Sequence, residues 1–282
     1  MKILVTGANG QLGSDVVLRL NQLGHEPIAT DRNTLDITDF QQVEAFFEAE
    51  KPDAVIHCAA YTAVDKAEAE RKLCTLVNIT GSENIAVAAE KHGAKMLYVS
   101  TDYVFGGAGT DPYEVNSEKK PVNHYGATKL KGENAVISNC KRHFIVRTSW
   151  VFGLNGKNFV KTMLFIGSKK NEISVVNDQI GSPTFTRDLA KLLCDMIVTE
   201  KYGVYHATNE GFCSWYDFAQ KIMELSGTQC KVNPISTGEY SCAALRPANS
   251  RLSKASLDEA GFERLPDWQT ALEQYLSEYS DN

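Results

Sequence analysis

The chain has 282 residues, of which 43% are apolar, enough to bury the core of one α/β unit or of a large domain carrying a smaller one. Its formal net charge is -6 with basic residues scattered along the chain, which argues against nucleic acid and leaves a small anion as the expected charged partner. Seven cysteines, an odd number with no Cys-x-x-Cys pair, point to reduced thiols rather than disulfides, and we assign no set of residues as metal ligands. No apolar stretch is long enough to span a bilayer and the first residues lack a cleavage site, so no membrane association and a cytoplasmic location are expected.

In chain order, β-rich runs at 2–6, 26–30, 54–58, 95–100 and 144–148 alternate with stretches of helical spacing at 11–23, 39–49, 81–92 and 125–138. That alternation predicts parallel strands joined by crossover helices. Beyond Trp150 the rhythm loosens into helices at 158–166, 186–198 and 214–225, separated by extended pieces at 173–176 and 204–206. A last helix at 268–279 sets Trp268, Leu272, Tyr275 and Leu276 near one face and should close a smaller lobe. The expected division is 1–150 for nucleotide binding and catalysis and 151–282 mainly for substrate, with the chain free to cross between the two.

Gly7, Gly10 and Gly13, with Gln11 and Leu12 between them, follow the first strand directly and open the first helix. A dinucleotide pyrophosphate needs free N–H groups at a helix N-terminus and glycines where a Cβ would block its approach. In this context the spacing predicts a Rossmann-type doubly wound parallel sheet that binds NADPH or NADH. Asp31 lies about 20 residues beyond the glycines, where a carboxylate can accept from ribose hydroxyls. Arg32 beside it could cradle a 2′-phosphate, and Asp31 could equally be a turn residue, so the local sequence leaves the choice of cofactor open. Asp36 and Ile37, and the small or short-range run Ala59, Ala60, Tyr61 and Thr62, fall where the chain would border the rest of the cofactor.

Tyr125 and Lys129 are spaced i, i+4 and so share a helix face, while Thr101 follows the strand that should end beside it. Ketone reduction needs a proton for the developing alkoxide, and a tyrosine with a pKa of roughly 10 can give one if a neighbouring ammonium pulls that value down. Lys129 has that sign and could also hold the nicotinamide ribose, and the Thr101 hydroxyl could donate to the carbonyl oxygen. Singly, each has an ordinary structural explanation: a packed aromatic, a solvated charge, a strand-end threonine. Together, downstream of a dinucleotide cradle, they point to catalysis.

These motifs resemble the extended short-chain dehydrogenase/reductase family: Gly7, Gly10 and Gly13, Tyr125 with Lys129, and Thr101. Further stretches are similar to its dTDP-4-dehydrorhamnose reductase branch, among them Cys58–Asp65, Ser100–Phe105, Arg147–Trp150, Asp178–Thr184 and Arg246–Ser250, so the likeness covers nearly the whole chain. The resemblance implies that Thr101, Tyr125 and Lys129 are catalytic and that Asp102 and Trp150 touch the sugar. It also implies that the second lobe holds the dTDP moiety of a dTDP-linked 4-keto-6-deoxysugar, and a homodimer stays open. The implied reaction is NAD(P)H-dependent reduction of dTDP-4-dehydro-L-rhamnose. Trp150 could offer a ring to the 6-deoxy face or be a core residue, and Arg246 could meet the diphosphate or be a surface turn. Related 4,6-dehydratases carry a glutamate where Tyr103 stands, which disfavours elimination. Rival readings are another 4-ketoreductase or an epimerase that recycles its cofactor, and, from another class, a non-catalytic NAD(P)-binding subunit of methionine adenosyltransferase.

Overall fold

The computed structural model describes residues 1–280. The first half builds β1 (Lys2–Thr6), α1 (Gln11–Gln22), β2 (Glu26–Thr30), α2 (Phe40–Glu50), β3 (Ala54–His57), α3 (Val64–Ala67), α4 (Arg71–Thr75), a π-helical turn (Leu76–Gly81), α5 (Ser82–Lys91), β4 (Lys95–Thr101), α6 (His124–Asn139) and β5 (His143–Thr148). Alternation in β1 sends Ile3 and Val5 into one core and Leu4 into the other. Helices therefore cover both faces of the sheet, as a parallel sheet requires.

The second half continues with β6 (Val151–Phe152), α7 (Phe159–Gly167), β7 (Glu172–Val176), β8 (Ile180–Gly181), β9 (Thr184–Phe185), α8 (Thr186–Ile197), β10 (Gly203–His206), β11 (Cys213–Ser214), α9 (Trp215–Ser226), β12 (Lys231–Ile235), α10 (Ala255–Glu259) and α11 (Trp268–Ser280). The six-stranded sheet has the order β10-β5-β4-β3-β1-β2, and every pairing in it is parallel. So the chain returns: β10 pairs with β5, and Leu189, Leu193 and Ile197 of α8 join Val16 and Leu20 of α1 in one core. A separate aromatic core, with Phe152, Phe185, Phe218, Trp268 and Tyr275, holds the smaller lobe.

Sequence periodicity located the elements flanking the glycine turn to within a residue or two, including Asp39, which caps α2 by accepting from the N–H groups of Gln41 and Gln42. It missed α3, α4 and the π turn, because 64–81 is broken into pieces of four to six residues, each too short to show a period.

Buried charge ties three elements together. Arg147 of β5 forms a two-pronged ion pair with Glu133 of α6, Nε and Nη2 each at 2.8 Å, and both side chains are only 2% exposed. Ser100 of β4 donates to the same carboxylate at 2.6 Å. Removing one member strands the other charge in a dry interior, where a single loss typically costs about 3–5 kcal/mol. Arg147→Met should lower the urea-unfolding free energy by about that amount, and Glu133→Leu added to it should restore much of the loss. A single variant as stable as the parent would show that the pair is not a keystone.

Candidate active site

The strand order reverses between β1 and β3, and ligands of doubly wound sheets bind outside the C-terminal strand ends at such a point. A cleft of about 830 Å³ opens there. Its wall includes Gly7, Gly10, Gln11, Leu12 and Gly13 of the first turn, Asp31, Arg32, Asp36 and Ile37 beyond β2, and Ala59, Ala60, Tyr61 and Thr62 beyond β3. Thr101, Asp102, Tyr125, Lys129 and Trp150 line the same cleft, so residues far apart in sequence share one space. Arg246 stands outside this wall.

The glycine turn is shaped for something other than a side chain. A Cβ on Gly13 would lie 2.2 Å from the Gly7 carbonyl oxygen, so only hydrogen fits. No side chain caps the N-terminus of α1, which leaves its first-turn N–H groups for a ligand. Asp31 is already engaged: Oδ1 accepts from the N–H groups of Asn33 and Thr34, and Oδ2 accepts from Asn9 Nδ2 at 2.6 Å. These donors hold its carboxyl below the usual carboxylate range. Arg32 next to it is exposed.

Asn123 caps α6 by accepting from the Gly126 N–H at 2.8 Å. Gly126 then lets the helix start ride directly on the turn after β4, since a Cβ there would lie 2.2 Å from the Tyr103 carbonyl. That contact brings Tyr125 to Thr101. The Tyr103 ring meets the Tyr125 ring edge-on, with centroids 5.6 Å apart.

The electrostatics differ from the expectation drawn from Lys129. Its Nζ donates to the Val99 carbonyl at 2.8 Å and lies 4.0 Å over the Tyr98 ring, so at the cleft wall it is packed against β4. Burial pushes its pKa down from 10.5 to about 7, with Glu133 opposing. Tyr125 goes the other way: burial first, then the Asp102 carboxylate, push the phenol up, while the Thr101 hydroxyl works against them. Lys129 therefore does not lower the Tyr125 pKa in the ligand-free chain. Asp102, 3% exposed, is pushed up to about 6 by burial, with the Ser250 and Thr101 hydroxyls pulling the other way.

Trp150 follows β5 with φ 50°, a left-handed backbone that costs a non-glycine residue about 1–3 kcal/mol. Its ring stacks on Trp215, the first residue of α9, at 3.6 Å between centroids and 11° between planes. One face of Trp150 is thus covered, and the pair acts as a single aromatic block at the end of the cleft. Trp215, Tyr103 and Lys157 line the cleft without having been singled out as binding residues from the sequence. No local motif marks Trp215, because its role depends on a stack across 65 positions of chain. Arg246 is turned to Asp65, which it meets at 2.7 and 3.2 Å, and this bond joins the 240–248 segment to α3. Away from the cleft, Glu44, Glu48 and His92 bring their ligand atoms within 4.8 Å of one another, a grouping their spacing does not reveal, but Glu44 Oε1 already pairs with Lys91 and His92.

A profile described as the RmlD substrate binding domain matches residues 1–281. The chain belongs to this family. The dTDP-4-dehydrorhamnose reductase of Aggregatibacter actinomycetemcomitans is 40% identical over 96% of this chain and 97% of its own. The spore coat polysaccharide biosynthesis protein SpsK of Bacillus subtilis is 43% identical, over 99% of this chain and 98% of its own. Among solved structures, the dTDP-4-dehydrorhamnose reductase of Bacillus anthracis in complex with NADP superposes with a TM-score of 0.96 at 44% identity, covering 98% of this chain and 99% of that one. The likeness to the dTDP-4-dehydrorhamnose reductases thus runs the length of the RmlD-family chain. Among the described residues no helix is long and apolar enough to cross a membrane.

The buried ammonium makes a prediction about stability. Below pH 7 Lys129 is charged in both folded and unfolded chains, and the full burial cost is present. Between 7 and 10.5 the folded chain is neutral while the unfolded chain still binds the proton, so stability rises with pH across that window. Lys129→Met should therefore be more stable than the parent at pH 6, with the difference shrinking toward pH 10. Thermal unfolding across that range measures it; a difference independent of pH would contradict the burial of the charge.

Proposed function

We propose that this protein reduces the 4-keto group of dTDP-4-dehydro-L-rhamnose to give dTDP-L-rhamnose, using NADPH and with Tyr125 as the proton donor. One observation carries the reading: the uncapped α1 N-terminus and the Thr101, Tyr125 and Lys129 set line a single cleft. The names of the full-length relatives supply the sugar.

When bound, the reduced nicotinamide supplies a hydride to the carbonyl carbon. The α1 first turn receives the pyrophosphate, with Gly13 leaving the room it needs. Arg32 is the residue for a 2′-phosphate, and the prior engagement of Asp31 favours NADPH over NADH. Tyr125 is protonated at neutral pH because burial pushes it up, so its O–H is available to the alkoxide that forms at the sugar. Lys129 titrates near neutrality, so anionic or hydroxyl ligands arriving above it favour its charged form and with it the phenolate left on Tyr125. The Trp150–Trp215 block and the smaller lobe take the deoxysugar and the dTDP moiety, with Asp102 near the sugar hydroxyls. Arg246 reaches a diphosphate only by leaving Asp65. The free thiols suit a reducing compartment, the cytoplasm.

The test is stoichiometry. Purified protein given dTDP-4-dehydro-L-rhamnose should consume one NADPH per sugar reduced, read at about 340 nm, whereas an epimerase leaves that absorbance unchanged. Tyr125→Phe should bind NADPH as the parent does and lose roughly 10²–10⁴-fold in kcat. Parental turnover by that variant removes the proton donor from the scheme, and a silent wild-type assay removes the substrate.

A further inference from the structure

The loop between β6 and α7, residues 153–158, belongs to the second half of the chain but rests on α1. Asn155 Nδ2 donates to Ser14 Oγ at 2.6 Å, and Asn158 Nδ2 donates to Gln11 Oε1 at 3.1 Å. Between them Gly156 has φ 70° and packs so closely that a Cβ there would lie 3.1 Å from Gln11 Cγ. Gln11 and Ser14 belong to the first turn of α1, whose N–H groups no side chain caps. The residues on both sides of Lys157 therefore touch that turn.

The loop holds this shape through its own bonds. Asn158 Nδ2 also donates to the Gly153 carbonyl at 2.7 Å, and its Oδ1 accepts from the Lys161 N–H at 2.9 Å, capping α7. Lys161 Nζ donates to the Leu154 and Gly156 carbonyls at 2.5 and 3.1 Å, so that ammonium is spent inside the loop. Lys157 differs. Its side chain is exposed, lines the cleft, and has no hydrogen bond or ion pair among the described residues. The cleft wall carries two other cations: Arg32 lies beyond β2, and Lys129 is bonded to the Val99 carbonyl. Lys157 is thus the cation that the loop fastens beside the first turn of α1.

We infer that Lys157 donates to the pyrophosphate of the nicotinamide cofactor, so that the second half of the chain completes a phosphate site begun by the glycine turn. This rests on the cofactor part of the reading above and adds a residue to it. A helix N-terminus supplies about half a positive charge, less than a pyrophosphate carries with the opposite sign, and an ammonium adds a full charge with further donors. Its bond to a phosphate oxygen is charge-assisted. The sugar nucleotide also carries a diphosphate. The loop is bonded to Gln11 and Ser14 rather than to Trp150 or Trp215, which favours the cofactor's.

Calorimetric titration of the ligand-free protein with NADPH, NADH and dTDP tests this without any turnover. Lys157→Ala should weaken NADPH and NADH by the same factor, roughly tenfold, because both contain the pyrophosphate. Lys157→Arg should restore most of that affinity. Binding of dTDP and the thermal midpoint should stay at parental values, and added NaCl should weaken NADPH binding less steeply in Lys157→Ala than in the parent. Parental affinity for both cofactors in Lys157→Ala, or an unchanged salt slope, overturns the inference. So does a loss confined to NADPH, which assigns Lys157 to the 2′-phosphate, or one confined to dTDP, which assigns it to the sugar nucleotide. A lowered thermal midpoint with all three ligands weakened alike makes Lys157 a structural residue and also overturns it. A parent that binds neither NADPH nor NADH refutes the cofactor reading itself, whereas a parent that binds both and a variant that matches it refute the role of Lys157 alone.

Discussion

The pairing of Glu133 with Arg147 is the constraint on which the rest of the site depends. It is dry, two-pronged and joined by Ser100, and it fastens α6 to the strands β4 and β5 at once. Tyr125 and Lys129 lie two turns and one turn before Glu133 on that helix, so their distance from Thr101 is set by this clamp and by the close approach at Gly126. Arg147 extends the clamp outward, donating to the Val115 carbonyl at 2.9 Å and meeting His206 Nε2 at 3.2 Å. Burial and the arginine keep His206 neutral, pushed down to about 3, so it serves there as a hydrogen-bond acceptor. Through His206 the last strand of the sheet, contributed by the second half of the chain, is coupled to the first half.

Behind the clamp, the interior disfavours charge. Lys129 is pushed down, Asp102 up and Tyr125 up, each with burial as the largest cause. Each of these shifts disfavours the charged form of its group in the ligand-free cleft. A site of this kind responds strongly to the charges a ligand brings, because the dry surroundings screen them little. Under the proposed function the phosphates would meet the α1 N-terminus and Arg32, and the proton chemistry would fall to Thr101, Tyr125 and Lys129 in the same cleft.

The two lobes are interwoven. Residues 186–206 cross back to give the sheet α8 and β10, and Arg246 reaches from the 240–248 segment to Asp65 of α3. At the cleft mouth, Trp150 accepts a left-handed backbone and is held there by its stack on Trp215. Local backbone cost is offset by long-range aromatic packing, and the site's outer wall is shared by both halves of the chain.

What the sequence determined by itself was everything that depends on short spacing: the parallel strands and crossover helices of the first half, the glycine turn, the Tyr125 and Lys129 pair, and the strand end at Thr101. These follow from periods of two and 3.6 residues and from glycines where a Cβ cannot fit, all readable within a dozen positions. Tertiary structure alone decided the rest. Lys129 bonds the Val99 carbonyl rather than the Tyr125 phenol, Asp31 is taken up by its own turn and Asn9, and Arg246 is held by Asp65. Trp215 enters the cleft and β10 enters the sheet for the same reason. Side-chain direction, solvent exclusion and the choice among competing partners depend on atoms brought together from distant parts of the chain, and no local pattern encodes which partner wins.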